Sequence, residues 1–180
     1  MEIAKFTEEE LENLIKSRDT DDLITAALQS CGLDGLAILV NDGDWRVRKT
    51  VAELGYGLDG LVNDESAEVR EAVAKQGYGL DILVNDENWI VRKAVAKQGY
   101  GLDILVNDKN EYVREAVARQ GYGLDVLVND ENWIVRKAVA EQGYSLDILI
   151  NDEHRLVRET AIINKKILKE KSKSDYENRC

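Results

Sequence analysis

Residues 77–98 read GYGLDILVNDENWIVRKAVAKQ, and residues 121–142 repeat this string with two changes. Aligning the chain with itself gives the same pattern every 22 residues, in six consecutive repeats. The repeats are 33–54, 55–76, 77–98, 99–120, 121–142 and 143–164. A fixed period of this length is the signature of a tandem-repeat architecture, in which each repeat is one supersecondary element.

The first part of each repeat follows a glycine turn. Leu83 and Val84 lie at helical spacing from Leu80, which predicts a short helix. A strand over LDILV is the alternative, and it would give a leucine-rich-repeat horseshoe. Asp81 interrupts the alternation that a strand requires, so we favour the helix.

The second part of each repeat has the spacing of a longer helix. Val91, Val95 and Gln98 fall on one helical face, which predicts about three turns. Asp86 is interpreted as the N-cap, because aspartate side chains accept hydrogen bonds from the free amides of the first turn. Gly99 is expected to end the helix, since glycine adopts the left-handed conformation without steric cost.

Such a hairpin buries its apolar side only against the next hairpin, so stacking supplies the core and the ends need caps. We predict an all-α solenoid with its six repeats at 33–164. Residues 1–32 are expected to form an N-terminal helical cap. Lys165 replaces the glycine that follows the earlier repeats, so 165–180 should extend the last helix until the polar tail 172–180 frays.

The charge of the chain restricts its partners. Its 24 Lys and Arg against 35 Asp and Glu give a net charge of −11, whereas a nucleic-acid binder needs surplus cations. The same balance disfavours anionic membrane surfaces, and no apolar run reaches the roughly 18 residues of a membrane span. Cys31 and Cys180 lack metal-ligand spacing. We therefore expect a reduced, cytoplasmic, monomeric protein with no nucleic acid, membrane, metal or cofactor bound.

Two features of the repeat resemble known families. The phrase D-x-x-x-x-V-R, from Asp86 to Arg92, is similar to the Asp and Arg pair of HEAT repeats. The brief helix before each longer one resembles the leucine-rich repeat variant group, in which short helices and α-helices alternate in a right-handed superhelix. The resemblance covers 33–164, although this repeat is shorter and the chain has no proline. It implies a right-handed α-solenoid and an interaction scaffold.

The HEAT resemblance also implies a buried ladder, in which each Arg bonds an Asp of its own or the next repeat. The aspartates are Asp42, Asp64, Asp86, Asp108, Asp130 and Asp152. The arginines are Arg48, Arg70, Arg92, Arg114, Arg136 and Arg158. A guanidinium beside a core valine needs such a partner, because an unpaired buried charge is costly. The alternative is an anion-binding row of arginines.

Catalysis is not predicted. His154 is the one histidine, and it lies at a variable position, as a surface residue would. The carboxylates recur in every repeat, and a residue present six times serves the repeat, whereas an active site is needed once. The Gly-Tyr-Gly segments recur in the same way, so we interpret them as turns and not as phosphate loops.

The variable positions point to a binding surface. Tryptophan occurs in alternate repeats, four residues before a lysine that can lie on the indole face. The other repeats have Ala67, Glu111 or Arg155 there. Because Trp and Tyr dominate binding hot spots, a partner-docking surface is predicted at Trp45, Trp89, Tyr112 and Trp133. The alternative is that each indole covers the junction with a neighbouring helix.

The residue after each ladder arginine alternates in sign along the chain. The series is Lys49, Glu71, Lys93, Glu115, Lys137 and Glu159. We interpret it as a device that fixes the register of neighbouring helices through pairs between repeats.

The sequence thus predicts a bacterial-type scaffold that binds a protein or peptide. An acidic mimic of DNA that inhibits a DNA-binding protein is the alternative. Duplex DNA carries one charge per ~1.7 Å, a density the chain approaches only if one face concentrates its carboxylates. A purely structural repeat protein is a third possibility.

Overall fold

The computed structural model describes residues 33–177, which form α-helices and contain no strand. The predicted all-α repeat is therefore confirmed, and the strand alternative for the LDILV segments is wrong. The predicted N-terminal cap, residues 1–32, lies outside the described residues. The chain divides into two compact units between Gln98 and Gly99. We call their described parts unit 1 (33–98) and unit 2 (99–177).

Short and long helices alternate in both units. Unit 1 contains α1 (Leu33–Leu39), α2 (Trp45–Glu53), α3 (Leu58–Leu61), α4 (Ala67–Lys75), α5 (Leu80–Leu83) and α6 (Trp89–Lys97). Unit 2 contains α7 (Leu102–Leu105), α8 (Glu111–Arg119), α9 (Leu124–Leu127), α10 (Trp133–Glu141), α11 (Leu146–Leu149) and α12 (Arg155–Glu177).

The glycine before a short helix is favoured by both its backbone and its surroundings. Gly79 precedes α5 with φ 59°, in the left-handed region. A Cβ there would lie 2.5 Å from Cγ2 of Val62 in the preceding repeat. Glycine therefore allows both the turn and the close approach of α5 to that repeat. In unit 2, Ser145 occupies this position with φ 47°.

The long helix starts at a cap that differs from the predicted one. Asn88 is the N-cap of α6, and its Oδ1 accepts from the N–H of Ile90 at 3.0 Å. The prediction of Asp86 as N-cap is therefore wrong by two residues. Asp86 Oδ1 accepts instead from the N–H of Asn88 at 2.8 Å, which fixes the turn that leads into the helix.

The core of each unit forms where long helices of successive repeats pack side by side. In unit 1 α2 contacts α4 and α4 contacts α6, and in unit 2 α8, α10 and α12 are related in the same way. Val91 and Val95 are fully buried in this core, together with Leu83 of the short helix. Burying a side chain of this size contributes roughly 1.5–3 kcal/mol, so the stacked valine face holds the repeats together.

Gln98 differs from its predicted place on the core face. Its side chain is exposed, and its Nε2 donates to the carbonyl oxygen of Lys75 at 3.1 Å. Gln76 donates in the same way to Glu53, at 2.8 Å. The glutamine thus satisfies a free carbonyl at the end of the preceding long helix.

The charges that alternate after the ladder arginines pair mainly along their own helices. Glu71 lies 2.8 Å from Lys75, and Lys137 lies 2.7 Å from Glu141. Arg119 also reaches Glu141 of the next repeat at 2.8 Å. The inter-repeat contact therefore comes from the end of the helix, and the alternating positions other than Lys93 form i,i+4 pairs.

The last helix extends well beyond the repeat length. With Lys165 in place of a glycine, α12 continues to Glu177, past the start of the tail 172–180 that was expected to fray. Asn164 takes over the role of the glutamines, because its Nδ2 donates to the carbonyl oxygen of Ala140 at 2.6 Å. Four aliphatic side chains around the start of the extension are exposed: Ile162, Ile163, Ile167 and Leu168.

Candidate functional site

Two ladder arginines of unit 1, Arg48 and Arg70, each join two repeats. Nε and Nη2 of Arg48 donate to the carboxylate of Asp64 at 2.6 and 2.9 Å, and Nη1 donates to the carbonyl oxygen of Asp42 at 2.8 Å. Arg70 is bonded in the same way to the carboxylate of Asp86 and the carbonyl oxygen of Asp64. Each arginine therefore uses the carboxylate of the next repeat and the main chain of its own.

Unit 2 has the same arrangement. Arg114 donates to the carboxylate of Asp130 at 2.6 and 2.9 Å and to the carbonyl oxygen of Asp108 at 2.8 Å. Arg136 donates to the carboxylate of Asp152 at 2.7 and 3.0 Å. Because these guanidinium groups are committed to carboxylates and carbonyls of the fold, an anion-binding row is disfavoured.

Two further ladder arginines, Arg92 and Arg158, make the same bond to the main chain of their own repeats. Nη1 of Arg92 donates to the carbonyl oxygen of Asp86 at 2.6 Å, and Nη1 of Arg158 donates to that of Asp152 at 2.7 Å. The carboxylates of Asp42 and Asp108 accept from the N–H two residues further on, both at 2.8 Å. The aspartates therefore shape the turn as well as pairing with arginine.

The ladder changes the proton affinity of Asp64, Asp152 and Arg48. Burial acts to raise the pKa of Asp64, but hydrogen bonds from Arg48 and the N–H of Ser66 outweigh it and hold that pKa below its usual range. The same balance, with Arg136 as the donor, lowers the pKa of Asp152. The hydrogen bond to Asp64 raises the pKa of Arg48. These ion pairs are therefore ionised at neutral pH.

The predicted docking residues have unequal environments. Trp45 is 40% exposed and Tyr112 37% exposed, whereas Trp89 and Trp133 are half-buried. Lys93 Nζ lies 5.9 Å from the ring centroid of Trp89, which is the cation–π geometry expected from their spacing. A partner would therefore reach Trp45 and Tyr112 more readily than the other two.

The ring of His154 covers the indole of Trp133, which lies in the preceding repeat. The two ring centroids lie 4.1 Å apart and the ring planes are inclined by 10°. His154 is half-buried rather than a surface residue, and its Nδ1 is buried without a hydrogen-bond partner. At Trp133, then, the indole covers the junction between two repeats. In sequence the two residues are separated by one residue less than the repeat period. This near-equivalent position in adjacent repeats is the signal that could have predicted the stack.

A second repeated surface, also missed from the sequence, lies on the short helices of unit 2. The third residue of α7, α9 and α11 is a branched aliphatic side chain that is more than half exposed: Ile104 52%, Val126 54% and Ile148 62%. Three residues further on, each repeat has an exposed asparagine: Asn107, Asn129 and Asn151. We call these six residues the short-helix surface.

A groove of 790 Å³ opens on the short-helix surface. It is lined by Val128, Asn129, Glu131, Ile148, Asn151 and Glu153, among others. The side chains of Glu131 and Glu153 are 89% and 84% exposed. The groove therefore combines aliphatic side chains with a rim of amides and carboxylates.

Unit 1 has a poorer version of this surface. Ile38 and Ile82 are exposed, but Gly60 occupies the equivalent position between them. The groove beside Gly60 is smaller, at 490 Å³. The aliphatic column is therefore complete in unit 2 alone among the described repeats.

Residues 33–177 contain neither a membrane-spanning helix nor a cluster of metal ligands. No helix in this part of the chain is long and apolar enough to cross a membrane. The described side chains also include no group of three or more His, Cys, Asp or Glu placed to hold a metal ion.

Comparison with known proteins supports the fold. No protein-family model and no curated protein matches the chain. Its structure is similar to that of a solved protein described as a leucine-rich repeat variant with a novel repetitive protein structural motif. The similarity has a TM-score of 0.66 at 26% sequence identity, and it covers 84% of this chain and 69% of the other. The predicted resemblance to leucine-rich repeat variants is thereby confirmed.

Proposed function

We propose that this chain is a non-enzymatic scaffold that binds a protein or peptide partner along the exposed side chains of its repeats. The observation that carries the proposal is the aliphatic column of Ile104, Val126 and Ile148, each more than half exposed. Single exposed aliphatic residues are common on protein surfaces. A column at one repeat position is different, because it exposes an apolar side chain in every repeat of the unit, and exposed apolar surface that recurs in this way is a mark of partner binding.

The core does not need this column. In α7, α9 and α11 the residue after the exposed aliphatic one is Leu105, Leu127 or Leu149, and each of these leucines is 1% exposed. The leucines supply the apolar contact that anchors each short helix. The preceding side chain is therefore available for a role other than folding.

The fold also favours a binding role over catalysis. Repeat proteins present equivalent side chains at regular intervals, which suits them to contact an extended partner at several points. Several weak contacts on one partner add to a much stronger one when they are linked. The carboxylate and guanidinium groups of the ladder are engaged in joining repeats, which leaves them poorly placed for chemistry on a substrate.

An acidic mimic of DNA is the second candidate, and the exposed Glu131 and Glu153 favour it. Neighbouring packed helices lie about 8–10 Å apart, whereas duplex DNA carries one charge per ~1.7 Å. One or two exposed carboxylates per repeat are much sparser than phosphates. Ile148, in the same groove, has no counterpart in a phosphate backbone, so we favour a polypeptide partner.

A peptide-display experiment tests the proposal. Random dodecapeptides are selected on the full-length chain, and enriched sequences are then measured for saturable binding by fluorescence anisotropy. We expect a shared sequence pattern among the enriched peptides, and we expect them to compete for one site. The proposal fails if no pattern emerges, or if the enriched peptides bind the urea-unfolded chain as well as the folded one.

A further inference from the structure

We infer that the short-helix surface of unit 2 binds an extended, basic polypeptide segment. The aliphatic side chains of the bound segment would enter the groove. The main chain of the segment would form hydrogen bonds with the side-chain amides of Asn107, Asn129 and Asn151. The inference rests on the proposed binding function and specifies the chemistry of the partner. Three features support the inference: the free side chains of the asparagines, the charges around the groove and the spacing of the repeats.

The asparagines are present in every repeat, yet the fold does not use their side chains. In unit 2 all three are exposed, and among the described residues no side-chain hydrogen bond is made by Asn107, Asn129 or Asn151. Their backbone does not call for asparagine either, because Ser145 is the one described non-glycine residue with positive φ. Only their main-chain N–H groups are bonded, closing the turn after each short helix.

A free amide side chain is suited to a polypeptide main chain. It offers two N–H donors and one carbonyl acceptor, and an extended segment presents both an N–H and a C=O at each residue. Recognition through main-chain hydrogen bonds gives affinity without dependence on sequence. Adjacent aliphatic contacts would then supply selectivity.

The charges around the groove favour a basic partner. Glu153 Oε1 lies 3.2 Å from Nη2 of Arg136, whose guanidinium already binds the carboxylate of Asp152. Glu131 has the same relation to Arg114, at 3.6 Å. Counted by repeat, two carboxylates, Asp130 with Glu131 or Asp152 with Glu153, stand against one ladder arginine, Arg136 or Arg158. This leaves a net negative charge beside the exposed aliphatic residue in each of these repeats.

One repeat of unit 2 departs from this pattern. Lys109 occupies the position that Glu131 and Glu153 hold in the following two repeats, and it is exposed. A basic segment would be repelled there. This departure provides a substitution that should strengthen binding, since Lys109→Glu restores the usual acid.

The spacing of the repeats fits an extended segment. Packed helices of neighbouring repeats lie about 8–10 Å apart. A chain in the polyproline II conformation advances ~9 Å in three residues, and its backbone groups remain unbonded. Such a segment would present the same kind of side chain, and the same main-chain groups, to each successive repeat.

A designed peptide tests the inference directly. The probe is a fluorescein-labelled (Arg-Pro-Val)4, whose binding to the full-length chain is followed by anisotropy. We expect saturable binding that weakens as salt is added. Replacing every Arg by Glu, or every Val by Ser, should weaken binding at least tenfold. An oligoarginine of equal length that binds as tightly as the probe would overturn the aliphatic part of the inference.

Matched variants locate the site. The triple variant Asn107→Ala, Asn129→Ala and Asn151→Ala should bind the probe at least tenfold more weakly, with an unchanged melting temperature because these exposed amides make no hydrogen bond in the fold. Its control is the same triple change in unit 1, at Asn41, Asn63 and Asn85, which should leave affinity unchanged. Lys109→Glu should bind at least about threefold more tightly.

The outcomes separate this inference from the proposed function. Selected dodecapeptides that are not basic, or that ignore the unit 2 asparagines, overturn the inference and leave the scaffold function intact. If binding is lost when Trp45 and Trp133 are changed but not when the asparagines are changed, the partner binds at the tryptophans. That outcome also overturns the inference. If no selected peptide binds, the scaffold function itself fails.

Discussion

Arg70 and Asp86 form a bidentate ion pair between successive repeats, with Nε–Oδ2 and Nη2–Oδ1 distances of 2.6 and 3.0 Å. The third guanidinium nitrogen donates to the main chain of its own repeat, at the carbonyl oxygens of Asp64 and Glu65. The side chains of Arg70 and Asp86 are 10% and 6% exposed. Each charge therefore depends on the other, since removing one leaves its partner buried and unpaired.

Arg70→Ala is expected to destabilise the protein by about 3 kcal/mol, because it leaves Asp86 without its counter-ion and two carbonyls without a donor. Urea titration followed by far-ultraviolet circular dichroism measures the loss. The matched control is Lys75→Ala, which removes a half-exposed i,i+4 partner of Glu71 and should cost under about 0.5 kcal/mol. Equal losses at the two positions would contradict the structural role of the ladder.

The ladder also predicts acid sensitivity. The pKa values of Asp64 and Asp152 are lowered in the folded chain, so the unfolded chain takes up protons first as the pH falls. Their stabilising contribution is therefore complete above the unfolded value of about 3.9 and is lost as the pH drops below it, towards the folded pKa values.

The measurement is the urea midpoint at pH 7, 5 and 3. We expect these two groups to change the urea midpoint little between pH 7 and 5, and we expect the midpoint to fall markedly by pH 3. The double variant Asp64→Asn and Asp152→Asn should be less stable at pH 7 and should lose less on acidification. An unchanged acid slope in the double variant would show that other carboxylates carry the effect.

Sequence reasoning recovered those features that depend on periodicity. The repeat and its two helices follow from spacing, because core packing imposes the same residue at the same place. The pairing of Arg with Asp came from the resemblance to HEAT repeats. Sequence reasoning placed Asp86 at the helix cap, two residues early, because asparagine at 88 is an equally good cap and local preferences cannot rank the two. Contacts between repeats decide that aspartate's place, since the carboxylate is held by Arg70.

The candidate surfaces were harder to predict, because they too depend on contacts between repeats. Ile148 looks like a core residue by composition, and its exposure follows from how α11 is turned so that Leu149 enters the core. The stack of His154 on Trp133 joins residues of different repeats, which no single repeat reveals. Asn129 is a residue type that is common in turns, and only the structure shows that its side-chain amide makes no hydrogen bond.

Close packing at the glycine turn gives a third prediction. Gly79→Ala should cost about 3 kcal/mol or more, combining left-handed strain of roughly 1–2 kcal/mol with a clash against Val62. Gly77→Ala is the control, since φ is 75° there but a Cβ would meet nothing within 4 Å. It should cost only the strain. Val62→Ala removes part of a buried side chain and is destabilising by itself. The double variant should therefore lose less stability than the two single variants added together, and additive losses would argue against the clash.

Ser145 offers the reverse experiment, because it holds the left-handed conformation at φ 47° without being glycine. Ser145→Gly should relieve strain of roughly 1–2 kcal/mol and lose part of this gain to the greater freedom of the unfolded chain. The expected net effect is a stabilisation of about 0.5–1 kcal/mol, seen as a higher urea midpoint. A lower midpoint would mean that the serine side chain contributes more to the turn than its strain costs.

The tryptophans give the last prediction, because their environments separate docking from packing. Trp45 is 40% exposed, so Trp45→Ala should cost under about 1 kcal/mol and should remove the emission most readily quenched by acrylamide. Trp133 is half-buried beneath His154, so Trp133→Ala should cost about 2–3 kcal/mol through lost burial and stacking. His154→Ala should uncover the indole, shifting emission to the red and increasing quenching, whereas the same change with Trp133 already absent should have no such effect. If His154→Ala leaves both emission and quenching unchanged in the wild-type background, the stack does not protect Trp133, and all three indoles become equal candidates for partner contact.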